Sequence, residues 1–345
     1  MRELATVHTG TDALAALAER GWDALLAESA HPDPTRRAAW MTAWRERLSP
    51  EGEAVAITVE RDGELVAGAP LVVTNGGSLS RVRLLGADGP WFNLEPLARD
   101  SAARRALFAA MRDLPGDVLI LEGIERDGAS AKCARGVLPR GPVVATPDGF
   151  RLAIADPPKS MRKRRKEVRR GLRRAEDAGR PLATEAYRGQ EVLPRLDDLL
   201  DFHAAHFDRG GVNGLAGDEA RPFTRHALGE LSTDALRLIE VRDRDRDLVA
   251  FDITIVNGTY AAAYTGALDR ASGLPNLGWI SVMALIESLE QEGIQIVDFG
   301  ASSDAYKGLI AREVPLCRVY APISARGRLA LFALRLRGLL WRGEG

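Results

Sequence analysis

The chain has 345 residues, 46% of them hydrophobic and 28% charged, and a formal net charge of −1. The length implies two domains rather than one core, the composition excludes a disordered chain, and the near-zero total excludes a globally basic nucleic-acid binder, so any polyanion must be held by a local patch. Cys133 and Cys317 are too few for a disulfide scaffold and lack the paired spacing of a zinc site; with no basic-then-apolar start after Met1 and no stretch near ~20 apolar residues, they imply a reducing, cytoplasmic setting.

In chain order, Leu14, Leu17, Trp22 and Leu25 recur at helical spacing over 11–28, and a second helix is predicted from Thr35 to about Leu48. Strands are predicted at Glu53–Glu60 and Leu65–Thr74, joined at Asp62-Gly63, and at Ser80–Gly86. A helix over 101–114 leads to the run Val118-Leu119-Ile120-Leu121, which suits a strand buried on both faces.

The second half repeats this order. A charged helix over 159–179 is followed by helices near 191–207 and 219–231, and by strands at Leu236–Arg242 and Leu248–Asn257. Asn257-Gly258 predicts a type I′ turn into an antiparallel strand at Thr259–Leu268. A helix over 277–292 then feeds Ile294-Gln295-Ile296-Val297, which ends at Asp298-Phe299-Gly300. The join is expected at Asp156-Pro157-Pro158. This gives an α/β chain of two mixed domains, 1–156 and 157–323, each a mostly antiparallel sheet flanked by helices, with an amphipathic tail over 324–345.

The N-terminal half carries Ala39-Trp40 with Ala43-Trp44, then Leu65–Leu71, then Leu84-Leu85-Gly86 ahead of Trp91-Phe92-Asn93. The C-terminal half carries the basic helix, Phe202-His203 with Phe207 before Gly210-Gly211, Pro275 to Gly278 opening a helix, and Asp298-Phe299-Gly300 followed by Tyr306-Lys307. In this order the features resemble the GNAT acyltransferase superfamily in its duplicated, Fem-like and CelD-like branch. The resemblance implies transfer of an acyl group to a small-molecule, peptide or sugar amine, from acyl-CoA (acetyl-CoA) as in most GNAT enzymes or from aminoacyl-tRNA as in the Fem enzymes, without a metal. Asn276-Leu277-Gly278-Trp279 holds a remnant of the glycine-rich loop whose amides cradle a donor pyrophosphate at a helix start. Trp91, Asn93 and Tyr264 are expected near the substrate.

Acyl transfer to an amine requires a deprotonated nucleophile, a polarised carbonyl and a donor to the developing oxyanion. Lys307 follows the end of a buried strand, where open sheets place ligands, and matches the Fem-like Tyr-Lys pair; an exposed helix lysine is the plain alternative. Tyr306 is expected to position the donor or departing group, and Asp298 to cap the strand end and orient its neighbours. Asp298-Phe299-Gly300 also spells the kinase magnesium triplet, but neither a glycine-rich phosphate loop nor a His-Arg-Asp loop precedes it. His203 and His206 stand three apart without a third ligand at metal spacing, which favours packing against a neighbouring strand.

Ten of the sixteen residues from Lys159 to Arg174 are Lys or Arg. Cations that wrap a helix so completely favour a bound polyanion, whether tRNA, CoA phosphates or a polysaccharide, over a merely solvated face; a non-catalytic protein that keeps the fold to hold an anionic polymer is a further alternative, against which Tyr306-Lys307 beside the buried strand favours catalysis. Arg162, Arg165 and Lys166 are the expected donor contacts, beside Asn276 and Gly278. At the C-terminus Arg328, Arg335 and Arg342 recur on one face of a predicted helix over 327–342, with Leu329, Phe332, Leu336, Leu340 and Trp341 on much of the rest; a membrane interface and packing against the neighbouring domain both fit.

Overall fold

The computed structural model describes residues 3–48, 51–87, 94–206, 220–231, 234–274, 276–301 and 306–336. In the first half β1 (Leu4–Thr9) precedes α1 (Ala13–Glu19), α2 (Trp22–Ala27) and α3 (Ala38–Arg47), then β2 (Glu53–Arg61), β3 (Glu64–Gly76), β4 (Leu79–Leu84), β5 (Leu97–Ala98), α4 (Ser101–Arg112), β6 (Val118–Glu125), α5 (Ala129–Val137) and β7 (Val143–Ala145). The chain continues through β8 (Gly149–Ala153), α6 (Lys159–Asp177), β9 (Ala183–Arg188), α7 (Leu196–His206), α8 (Ala220–Glu230), β10 (Leu236–Arg242), β11 (Leu248–Asn257), β12 (Tyr260–Leu268), α9 (Leu277–Gln291), β13 (Ile296–Ala301), β14 (Arg312–Val314), β15 (Leu316–Pro322) and α10 (Ala325–Leu336).

The expected helix over 11–28 is two helices. Gly21, at φ +89°, takes a left-handed turn that a helix interior forbids, so the apolar spacing continues while the axis changes. The Asp62-Gly63 turn has positive φ at both residues, 55° and 84°, as a type I′ hairpin requires. The second hairpin differs from expectation. Asn257 pairs with Tyr260, so the turn is Gly258-Thr259, and only Gly258 has a positive φ, +60°, the pattern of a II′ turn. Asn257 stays in the strand and its Nδ2 donates to the Pro32 carbonyl at 3.0 Å, which ties the hairpin to the first half.

One sheet runs β1-β2-β3-β4-β6-β15-β7, with β5 on β3; the other, from its opposite edge, runs β9-β10-β11-β12-β13-β8-β14. Neighbours are antiparallel except at β4–β6 and β12–β13, which occupy the same place in the two sheets. The duplication is therefore one of topology. Strands are also exchanged: β8, from before the expected join, lies in the second sheet, and β15, from the chain's last third, lies in the first. The sheets thus do not separate at one point near residue 156.

A shared apolar core locks the halves together. Trp40 meets Phe223 and Tyr264 edge to face at 5.3 and 5.2 Å, and Trp44 meets Phe223 at 5.2 Å. Each ring pair adds roughly 0.5–1.5 kcal/mol beyond its burial. Separate cores fill the first half around Phe108 and the second between its sheet and α6 with α9.

Candidate active site

β12 and β13 pair at three positions, Tyr260 with Ile296, Ala261 with Val297 and Ala262 with Asp298. Beyond them β12 continues along β11 and β13 along β8, so their facing edges carry no ladder among the described residues. Tyr264 is bulged, because Ile253 pairs with Thr265 and Thr254 with Ala263; a bulge bends a strand and re-aims its backbone. The site thus opens between two parallel strands whose backbone groups can take a partner in extended conformation.

Lys307 stands at this opening. It begins a 3₁₀ turn, Lys307–Leu309, is only 9% exposed, and its Nζ donates to the Phe299 carbonyl at 2.5 Å. Tyr306 is exposed, and its ring meets Trp279 edge-on at 6.0 Å. The Arg164 guanidinium lies 4.8 Å over the same indole, so the opening, the start of α9 and the basic helix form one continuous surface. Asn276 caps α9 at φ +59°. Gly171 of α6 lies so near that a Cβ there would be 3.2 Å from Asn276 Nδ2, while Gly278 fits against Leu268.

Met161, Val168, Gly171 and Ala175 form the buried face of α6. Arg165 is tied to Glu290 at 3.0 Å and Arg164 to Glu167 at 2.5 Å. Lys159, Arg162, Lys163, Lys166, Arg169, Arg170, Arg173 and Arg174 are exposed. Of the three expected donor contacts on this helix, Arg162 and Lys166 face solvent and Arg165 braces α9.

Asp298 points toward the first half. Its Oδ2 accepts from the Tyr260 hydroxyl at 2.6 Å and Arg151 Nε at 2.9 Å, and its Oδ1 accepts from the Gly300 amide at 2.8 Å. Gly300 has φ +71°, which permits the turn that Asp298 caps, and Phe299 is core; the kinase-like triplet is thereby a strand end. Arg151 also bonds Glu125 and lies 3.0 Å from His31 Nε2. The His31 contact, then burial working against it and Arg151, leave the Glu125 carboxyl at about 2. Burial and the nearby Asp298 charge push Asp33 up to about 6, and burial followed by Asp298 pushes Tyr260 well up. Sequence reading found Asp298 in this cluster but missed Arg151, Glu125, His31 and Asp33. The available signal was a charge between Phe150 and Leu152 in a short apolar run.

Asp252, on β11 opposite Gly266, accepts from Ser281 of α9, and burial lifts its pKa to about 7. Tyr264 packs in the shared core, with its hydroxyl 3.4 Å from Thr224. His203 is buried against Phe251, where burial lowers its pKa to about 4, whereas His206 lies 3.5 Å from Asp269. Trp91, Asn93, Phe207, Gly210, Gly211 and Pro275 lie outside the described residues.

Residues 162–308 match the acetyltransferase (GNAT) domain family. This segment is similar to GNAT-type acyltransferase domains. No curated protein matches the chain in sequence. Among solved structures, FemX superposes at TM-score 0.63 with 13% identity, covering 96% of this chain and 99% of FemX. A tandem GNAT protein from the clavulanic acid biosynthesis pathway gives 0.50 and 15%, covering 92% and 99%. The C-terminal domain (DUF2156) described for a lysylphosphatidylglycerol synthetase of Agrobacterium fabrum gives 0.57 and 13%, covering 94% and 97%. At such identities the likeness is one of fold, and it extends the GNAT topology to the duplicated, Fem-like arrangement of the whole chain.

Proposed function

We propose that the chain is an N-acyltransferase that moves an acyl group from acyl-CoA to the amine of a small molecule, peptide or sugar. The observation that carries this reading is the parting of β12 from β13 with Lys307 at its edge. An extended amide-bearing donor arm would lie along the unpaired strand edges, with its phosphates toward Asn276 and Gly278 at the start of α9. The amine nitrogen attacks the thioester carbonyl, the C–N bond forms, the C–S bond breaks, and the departing thiolate takes the proton that the new amide loses. Lys307 would hold the developing oxyanion with its ammonium, Tyr306 would position the donor, and Asp298 would fix the strand end through Gly300 and Arg151. The free thiols of Cys133 and Cys317 support a cytoplasmic working place.

One observation favours aminoacyl-tRNA as the donor instead. The eight exposed cations of α6 extend over roughly 22 Å at 1.5 Å per residue, room for several backbone phosphates. Thermal shift with CoA and with aminoacyl-tRNA separates the donors, because a ligand at 100 times its Kd adds about 2.7 kcal/mol.

The chemical test is Lys307→Met, assayed by thiol release from acetyl-CoA over a panel of amines, or by aminoacyl transfer if tRNA is the donor. Loss of an oxyanion donor costs about 10²–10³ in kcat, about 2.7–4 kcal/mol, with little change in KM. A folded variant within about threefold of the parent rate, ~0.6 kcal/mol, would remove Lys307 from the mechanism.

A further inference from the structure

Leu329, Phe332 and Leu336 are 72%, 61% and 72% exposed, and all three lie on α10. At about 100° per residue they fall within about 60° of arc. The helix is not free to rotate and bury them. Its opposite face is seated on β15 and the residues that lead into β6, where a Cβ at Gly327 would collide with the Asp117 carbonyl, and Leu331 is buried. Ser324 at the base of the helix donates to Asp117 at 2.6 Å. The outward apolar stripe is therefore held outward by the fold.

Its borders are cationic. Arg328 and Arg335 flank one side and Arg326 the other, each about 40–60° from the stripe, and Ala325–Leu336 contains no acidic residue. Among the described residues no helix is long and apolar enough to cross a membrane. A short helix with apolar residues outward and cations at both borders is built to lie in a membrane interface, apolar side chains among acyl chains and arginines at the headgroups. A second copy is a poorer occupant, since two such helices placed face to face would set arginine borders against each other.

We infer that α10 docks the protein onto an anionic lipid surface. Full-length protein should float with phosphatidylcholine vesicles containing phosphatidylglycerol and stay behind with phosphatidylcholine alone. Replacing Leu329, Phe332 and Leu336 together by Ser should lower partitioning at least about a hundredfold, and Arg328→Gln with Arg335→Gln about thirtyfold. Both sets should leave the melting temperature unchanged, because the altered side chains are exposed. A single Phe332→Trp variant gives an independent reading, with its emission moving to shorter wavelength on the anionic vesicles. Absence of flotation, flotation that survives the triple change, or an unshifted Phe332→Trp spectrum on bound vesicles would each overturn the inference. So would a dimer in solution that the triple change disperses, which would assign the stripe to a second copy.

Discussion

Asp252 should make the protein less stable as pH rises, and Asp252→Asn should abolish that dependence. The carboxyl lies between β11 and α9 with the Ser281 hydroxyl donating to it, and Gly266 opposite leaves it room, since a Cβ there would come within 2.3 Å of Asp252 Oδ1. Burial raises its pKa from 3.8 to about 7, against the smaller opposing effect of Ser281. The folded state thus holds the proton more tightly than the unfolded chain. The stabilisation this represents is complete below pH ~4 and is lost as pH rises through about 7. A gap of about three units at 1.36 kcal/mol each sets a ceiling near ~4 kcal/mol. Urea unfolding of parent and variant at about pH 5 and about pH 8 isolates this group, because the other titrating carboxyls are common to both proteins. The variant should gain about 2–4 kcal/mol on the parent between the two conditions. An equal difference at both pH values would mean that Asp252 does not titrate in this range and that the account of its burial is wrong.

Arg151→Met should cost about 3–5 kcal/mol, because it leaves the Asp298 carboxylate buried beside Asp33 and Glu125 without its cation; adding Asp298→Asn should recover part of that loss in a urea titration. Trp40→Ala should cost about 3–5 kcal/mol through its lost contacts with Phe223 and Tyr264, and a fall in the urea slope would show the halves beginning to unfold separately.

The elements legible in the sequence are those whose signals are local. The Asp62-Gly63 turn, the helix over 101–114 and the apolar run before Asp298 each follow from a few adjacent residues, and together they carry the duplicated order and the position of Lys307. What escaped is what depends on partners distant in sequence. β1, β9 and β14 are short edge strands whose alternation is weak, β7 gains its identity from β15, and β8 from β13 and β14. The turn after Asn257 moved by one residue because the asparagine side chain is engaged by Pro32, a contact 225 residues away in sequence. Tyr264 was expected near the substrate; the bulge at that residue and the Trp40 ring set its surroundings, and neither can be read from the strand's own letters.

The exchange of β8 and β15 connects these omissions to function. Had the chain divided cleanly at its paired prolines, the second sheet would lack the strand that carries Arg151, and Asp298 would be a buried carboxylate without a cation. Because β8 pairs antiparallel with β13 and sets Arg151 opposite Asp298, a residue preceding the join completes the strand end from which Lys307 is placed. The loop bearing His31 and Asp33 reaches the same cluster from the first half. Each charge in the cluster is costly to bury alone and tolerable only with the others present. The strand end beside the opening between β12 and β13 therefore depends on the N-terminal half for its electrostatics as well as its packing.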